Sequence, residues 1–559
     1  MYKKPVYTIL ACLLVFSLFL SACGQNQNDK QHANSSAQTT EGKEEGRADP
    51  FGKYDPPINL EAVRYIGEEV KFPPGQDINN NNWATLYKEM GINVTYKWIV
   101  TGKSQYDSKL NLAIAANDLP DFMEVNATQL KQLADADLLE DLTEAFEKYA
   151  SDDLKKVMQI EPNALKSATF DGKLLAIPST QPVIGGSAPL LWLRTDWMQK
   201  LNLQPPKTID DVIRIAEAFV KNDPDGNGKA DTYGIALTKD LVSHTSGIGF
   251  FNAYNAFPRI WIIGESGKLE YGSIQPEMKN ALAKLQELYQ AKLIDPEFGV
   301  KDGVKMFESI AANKIGVVFG ASWYPAWPFW GMKEKDPGIE WDSYPVPSQN
   351  GEPATVQMPF AVSHYYVLKK GYKHPEVIVK FANLYYEKLY SKNAEFEKYG
   401  SMLLDNVEYG LNKFSLVEVV NPNKDLIRQQ ELEKALQTGS DAEITSAETK
   451  SMFKEFQKYL AGNYPLGWAG YKANGPEGAM KQLRILNEQG KVISNAFVGA
   501  STETMAEKKA TLDKLEDETF VKIIMGEEPI DAFDKFVEDW KKLGGDQITT
   551  EVNEWYASK

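Results

Sequence analysis

The sequence predicts an α/β protein of two lobes. Three observations predict it. Short apolar runs with strand periodicity alternate with amphipathic helical stretches along most of the chain. About 500 of the 559 residues are left to fold once a polar N-terminal region is set aside, and single cores stop growing beyond about 250–300 residues. No internal repeat of 20–50 residues, the mark of a solenoid, offers another way to fold a chain of this length.

Taken in order, the chain opens with Lys3 and Lys4, an apolar run from Val6 to Leu20, and Leu20-Ser21-Ala22-Cys23. A basic start, an apolar stretch and small residues before a cleavage point describe a secretory signal over 1–22. The run is short for a spanning helix, which needs about 20 apolar residues. Residues 23–57 are mostly Gln, Asn, Ser, Glu, Lys and Gly. Such a segment buries too little apolar surface to offset its chain entropy and is expected to be a flexible tether. The folded body is expected from about Ile58.

Val94, Tyr96, Trp98 and Val100 alternate with Thr95, Lys97 and Ile99, the period of a half-buried strand. A helix is expected around Tyr106–Ala116, then a loop at Asn117-Asp118-Leu119-Pro120-Asp121 and a short strand at Phe122–Val125. The spacing of Val212, Ala216, Phe219 and Val220 predicts a helix capped by Thr208, with Asp210 and Asp211 at its positive end and a stop at Asn222-Asp223-Pro224. Ile315–Phe319 reads as a buried strand between Gly316 and Gly320. Phe533, Phe536, Val537 and Trp540 mark a last helix, closed by Gly544-Gly545.

The formal net charge is −16, and loss of Lys3 and Lys4 with the signal takes it to −18. With no basic run of five or more, nucleic acid and anionic membrane surfaces are not expected partners. The histidines, His32, His244, His364 and His374, show no metal-ligand spacing, and GxSxG, HExxH, Walker and GxGxxG motifs are missing. The chain is therefore read as a non-enzyme. Its many acids leave open a secreted polysaccharide-active enzyme with two carboxylates.

The sharpest local motif is Asp223-Pro224-Asp225-Gly226-Asn227-Gly228-Lys229-Ala230-Asp231. Side-chain oxygens of Asp223, Asp225, Asn227 and Asp231 fall at positions 1, 3, 5 and 9 of an EF-hand register. The Lys229 carbonyl takes position 7 and Gly228 the sharp turn at 6. A structural Ca2+ is expected there, with Gly234 at position 12 in place of the usual Glu; a metal-free Asp/Asn/Gly turn is the alternative. No catalytic cofactor is expected.

The aromatics are many, 12 Trp, 26 Tyr and 25 Phe. They cluster at Phe250–Tyr254 with Trp261, at Trp323–Trp330, and at Trp468–Tyr471. Flat rings with a few placed polar groups suit a small-ligand pocket, though Trp and Tyr also fill cores. Trp261, Trp323, Tyr324, Trp327, Trp330, Trp468 and Tyr471, with Asp121, are the ligand-binding candidates. Arg194, Arg259 and Lys472 are weighed as counter-charges for a charged ligand, against a solvated surface position for each.

Several motifs fall in a telling order: Leu20-Ser21-Ala22-Cys23 with the tether, Asn117–Asp121, Leu191–Trp197, Pro205–Asp211, Lys314–Gly320, Phe520–Gly526 and Asp534–Trp540. Together they resemble the family 1 extracellular solute-binding proteins of ABC importers, most closely the large lipoproteins of Gram-positive bacteria, similar to alginate-oligosaccharide-binding proteins. The resemblance implies a periplasmic-binding-protein-like fold with a ligand cleft between lobes. It implies diacylation of Cys23 and a place on the extracellular face of the cell membrane, held through the lipid anchor only. It implies capture of a carbohydrate, an oligosaccharide, by lobe closure, and delivery to membrane permease subunits by a monomer. A peptide- or sensor-type binding lipoprotein is the other alternative. Chain crossings are implied near Pro178–Gly186, Pro359–Ser363 and Asn495–Thr502. That gives an N-terminal lobe of 58–182 plus 361–498 and a C-terminal lobe of 183–360 plus 499–559. In the alginate-oligosaccharide-binding relatives the calcium loop carries an acid where Thr232 stands here.

Overall fold

The alternation at 94–100 forms the strand Ile92–Thr101, and its parallel neighbour Ile58–Ile66 is the first strand of the fold. A computed structural model describes residues 48–67, 70–243, 247–404 and 407–558. The expected signal (1–22), Cys23 and most of the tether, together with His32 and His244, lie outside the described residues. No helix among the described residues is long and apolar enough to cross a membrane.

Residues 47–559 form one compact unit, built among the described residues on two large apolar cores and a small third one of Leu432, Ala435, Ile444, Phe453 and Phe456. The N-terminal core surrounds a five-stranded sheet ordered Ile92–Thr101, Ile58–Ile66, Phe122–Val125, Val362–Leu368, Ile177–Thr180. The first three strands are parallel, and Val362–Leu368 runs against both its neighbours. The helices Asn82–Glu89 and Glu376–Tyr390 cover it through Trp83, Tyr87, Phe381 and Tyr385, all buried. The C-terminal core surrounds a four-stranded sheet ordered Trp341–Tyr344, Leu190–Arg194, Ile315–Gly320, Tyr233–Ile235. The expected helix, Ile209–Lys221, buries Val212, Ala216 and Phe219 against it. Thr208 caps it in a reciprocal box: its hydroxyl accepts from the Asp211 amide, and Asp211 Oδ2 accepts from the Thr208 amide at 2.8 Å. The last expected helix is Ala532–Trp540.

Two expectations need correction. The folded part begins before Ile58: Phe51 and Tyr54 pack on the N-terminal core, and Lys380 and Asn383 donate to the carbonyls of Gly52 and Pro50 at 2.6 and 3.1 Å. The second correction concerns residues 424–498, which were expected in the N-terminal lobe. Their helices add no strand to that sheet. Leu426, Trp468, Met480, Leu483 and Leu486 are buried in the C-terminal core, and Val492–Ser494 pairs with Val356–Met358. The third chain crossing therefore lies between Val420 and Lys424, not near Asn495–Thr502.

All three crossings meet at one residue. Thr180 pairs with Val362, and the Gln181 amide donates to the Ala361 carbonyl at 2.9 Å. The Val420 amide donates to the Thr180 carbonyl at 3.1 Å, and the Thr180 hydroxyl to the Val420 carbonyl at 2.7 Å.

Candidate functional site

The parallel strands of the N-terminal sheet end on one edge, and Ile177–Thr180, running against Val362–Leu368, ends on the same edge. Ligands of open α/β sheets bind in the crevice outside the carboxyl ends of the strands. A cavity of about 420 Å³ lies on this edge, reaching from Tyr65 and Phe72 to Gln181 and Ser363 beside the crossings.

Its charged and imidazole side chains come from four separated stretches of chain: Arg64, Glu124, His364, and Lys413 with Glu418. Tyr106 positions Glu124 by exchanging hydrogen bonds with its backbone, donating to the carbonyl at 2.9 Å and accepting from the amide at 3.0 Å. The Tyr366 hydroxyl accepts from the Glu418 amide at 2.9 Å and lies 2.8 Å from His364 Nε2. Ser363 Oγ lies 2.9 Å from His364 Nδ1, and which atom of each His364 pair donates follows from the imidazole tautomer. Burial, with Lys103 and Lys413 nearby, pulls the His364 pKa down to about 3, so the ring is neutral. Burial pushes the Glu124 carboxyl up to about 7 against the pull of Lys103, and burial also raises Glu418. Arg64 donates to the backbone carbonyls of Phe414 and Lys413. One face is apolar, where Phe72 and Phe414 stack at 4.6 Å.

The facing lobe brings aromatics to the crossings. Ile315–Gly320 ends beside the short helix Val183–Ser187: the Ser322 hydroxyl donates to the Gly185 carbonyl at 2.7 Å and Trp323 Nε1 to the Gly186 carbonyl at 3.2 Å. Trp323 and Trp327 lie parallel at 6.4 Å, and Trp327 rests edge-on against Phe307. Trp327 is 50 % exposed.

Burial sorts the other sequence candidates. Tyr324, Trp261 and Trp468 are buried in the C-terminal core and present no face to a ligand. Tyr471 packs between Phe456 and Tyr459. Trp330 is half-buried beside Tyr464 and Leu466. Asp121 stands at the opposite end of its strand from the crossings, where its carboxylate accepts from the Glu61 amide at 3.0 Å. Arg194, Arg259 and Lys472 are not solvated charges but ion-pair partners of Asp196, of Glu516 with Asp517, and of Asp342. A larger opening of about 1120 Å³ separates the lobes between Lys131, Lys173 and Lys370 on one side and Phe497 and Trp555 on the other. Lys370 follows the carboxyl end of Val362–Leu368, so this opening reaches the far edge of the sheet.

The loop Asp223–Asp231 turns through positive φ at Asp223, Gly226 and Gly228. Its side chains bond one another: Asn227 Nδ2 donates to Asp225 Oδ2 at 2.7 Å and Asp231 Oδ1 at 3.0 Å, and the Gly228 amide donates to Asp223 Oδ2 at 2.9 Å. Among the described residues no group of three or more His, Cys, Asp or Glu is arranged to hold a metal ion. Two oxygens of this segment, Asp223 Oδ1 and Thr232 Oγ1, are nonetheless buried without a hydrogen-bond partner.

A family model described as bacterial extracellular solute-binding protein matches residues 78–390. Lipoprotein LipO of Bacillus subtilis is 24 % identical over 483 residues, 85 % of this chain and 88 % of its own. The fructooligosaccharide ABC transporter substrate-binding protein FusA of Streptococcus pneumoniae is 25 % identical over 57 % of this chain and 58 % of its own length. The crystal structure of alginate-binding protein AlgQ2 without calcium ion superposes over 91 % of this chain and 100 % of its own, with a TM-score of 0.56 at 16 % identity, a likeness of fold.

Proposed function

The chain belongs to the bacterial extracellular solute-binding protein family, and from that premise we propose that it captures an oligosaccharide between its lobes for the permease subunits of an ABC importer, without cleaving it. The observation that carries this reading is the half-exposed Trp327, stacked with Trp323 at the end of the C-terminal sheet that meets the crossings. An indole face left open beside a hinge matches the apolar C–H face of a sugar ring. The cavity lined by Glu124 and Glu418 on the N-terminal edge supplies acceptors for hydroxyl groups. With the three crossings tied at Thr180, bending there moves each lobe as a body, and a ligand touching both walls favours the closed form. A fructooligosaccharide-binding relative supports the carbohydrate class.

The same reading takes Cys23 as the diacylated residue that holds a monomer on the extracellular face of the membrane, as the name of the LipO relative supports. Two acyl chains suffice for stable anchoring where one does not. Asp223, Asp225, Asn227, Asp231 and the Lys229 carbonyl would hold a structural Ca2+ with Thr232 beside them, pinning the turn after the Ile209–Lys221 helix. Breaking the Asn227 bonds to Asp225 and Asp231 frees both carboxylates for the ion.

A thermal-shift series on the folded unit, residues 47–559, tests both parts. An oligosaccharide that binds only the folded state stabilises it by about 2.7 kcal/mol at a hundredfold excess over its Kd, and mass spectrometry recovers it intact. Absence of a shift with every sugar class overturns the carbohydrate reading, and cleaved products overturn capture without turnover. Added Ca2+ raises the melting temperature, EDTA reverses it, and Asp223→Asn abolishes the response. A calcium response that survives Asp223→Asn places the ion elsewhere.

A further inference from the structure

Resting on that reading of the cleft, we infer that Glu124 reads a sugar hydroxyl in the N-terminal cavity, and that capture there drives a proton off its carboxyl. The protein then holds its sugar more tightly as pH rises. Glu124 sits in a buried strand, yet its side chain lines the cavity. Its Oε1 is buried without a hydrogen-bond partner, and its Oε2 stands 3.6 Å from His364 Nε2, beyond hydrogen-bond reach. A hydroxyl entering the cavity satisfies that oxygen by donating to it, and a bond to a carboxylate is about twice as strong as one between neutral groups. The stacked Phe72 and Phe414 give the ring an apolar wall on the same cavity.

Before the sugar enters, the charge on Glu124 is weakly supported. Burial pushes its carboxyl up to about 7; Lys103 and Arg64 pull against that, and Glu418 and Asp107 add to it. Lys103 bonds Asp107 and stands 3.9 Å from Oε1, while Arg64 donates to the carbonyls of Phe414 and Lys413. Lys413 and Glu418 face the cavity together, and burial raises Glu418 as well. From Val362–Leu368 comes His364, neutral because burial pulls it down to about 3. Burial keeps the Tyr65, Tyr106 and Tyr366 phenols protonated. Capture acts on Glu124 in two opposed ways. Lobe closure removes water and disfavours the charge, whereas a hydroxyl bond favours it. The bond prevails, because the Glu124 side chain is already only 17 % exposed; little water is left to lose, and the bond is wholly new. Around pH 7 the complex therefore binds fewer protons than the free protein, so affinity rises with pH. A carboxyl at about 7 that is fully ionised in the complex gives about a tenfold rise from pH 6 to pH 8, and about half a proton released at pH 7.

Titration calorimetry of the folded unit with cellotriose, mannotriose and galactotriose tests this. These sugars carry no group that titrates near neutral pH, so a released proton comes from the protein. Runs at pH 7 in phosphate and in Tris, which differ in heat of ionisation, count it. Release of about half a proton is expected, with affinity about tenfold higher at pH 8 than at pH 6. Glu124→Gln is expected to release none and to lose most of the rise, and Glu418→Gln to keep both. Proton uptake by the parent, or an affinity that is flat or falls with pH, overturns the inference and leaves oligosaccharide capture standing, whatever the variants do. A release that persists in Glu124→Gln, with its melting temperature near the parent's, assigns the proton elsewhere and overturns it too. If none of the three binds while other sugars shift the melting temperature, the cavity does not read neutral hydroxyls and the inference falls alone; if no sugar binds, the capture reading falls with it.

Discussion

Trp327→Ala lowers affinity for the captured sugar about 30-fold and leaves the melting temperature nearly unchanged. The separation of the two effects follows from where the ring sits. Trp327 is half exposed, edge-on to Phe307 and parallel to Trp323. Its open face contributes little to folding, because apolar surface already in water is not lost again on truncation. A tryptophan that becomes buried against a ligand behaves as a hot spot, costing about 2 kcal/mol or more on truncation, which is about 30-fold in Kd. Trp323→Ala behaves differently: its indole N–H is spent on the Gly186 carbonyl beside the first crossing, so affinity and stability fall together. Titration calorimetry and thermal melts on both variants read the contrast. Unchanged affinity in Trp327→Ala removes this face from the binding wall.

The contrast between Trp327 and Tyr324 also measures how far the site was legible in the sequence. Both stand in one Pro-punctuated run after a buried strand, and the sequence marks that run as a cleft wall without saying which ring looks outward. Tyr324 turns under Gly320, where no side chain intervenes, and is buried; Trp327 points away. Period and caps carried the elements with a single apolar face, as at Ile209–Lys221 and Ile92–Thr101. They carried the third crossing poorly. Residues 424–488 hold four helices that each bury part of their surface, and an apolar stripe says that a helix packs without saying on which lobe. The Glu124–Glu418 cavity was missed because its polar groups come from stretches far apart in the chain. One signal was present: Glu124 sits inside the apolar run Phe122–Val125, and an acid within a buried strand is costly unless it has a use. Asp121, three residues earlier, drew attention instead, and it caps the wrong end of the same strand.

Glu516→Leu is expected to destabilise the C-terminal lobe by about 1–3 kcal/mol, the cost of leaving the buried Tyr271 and Ser273 hydroxyls without their acceptor while Arg259 keeps its ion pair with Asp517. Glu516 lies in the helix Glu503–Met525 and is fully buried. Its carboxylate accepts from Tyr271 at 3.2 Å and Ser273 at 3.0 Å, and Arg259 Nε stands 3.3 Å away. Arg259 holds a left-handed backbone, with φ 62°, so the helix, the loop at 258–259 and the Leu269–Tyr271 strand are joined through one acid. Glu516→Gln keeps an acceptor oxygen and isolates the charge. Burial pushes the Glu516 carboxyl up to about 7, despite the pull of Arg259. An acid whose folded pKa lies above its unfolded value near 4.5 binds more protons folded than unfolded between those values. Stability from this group is therefore fully present below pH about 4.5, falls as pH rises toward 7, and is flat above, with a slope of at most about 1.4 kcal/mol per pH unit. Glu124, also raised to about 7 by burial, adds a fall over the same window. Glu516→Gln removes only the first contribution, so the stability of the variant relative to the parent climbs from pH 5 to pH 8. Urea melts across that range read it. A difference that stays constant with pH shows that Glu516 is ionised throughout, held so by Arg259, and that burial does not govern its proton.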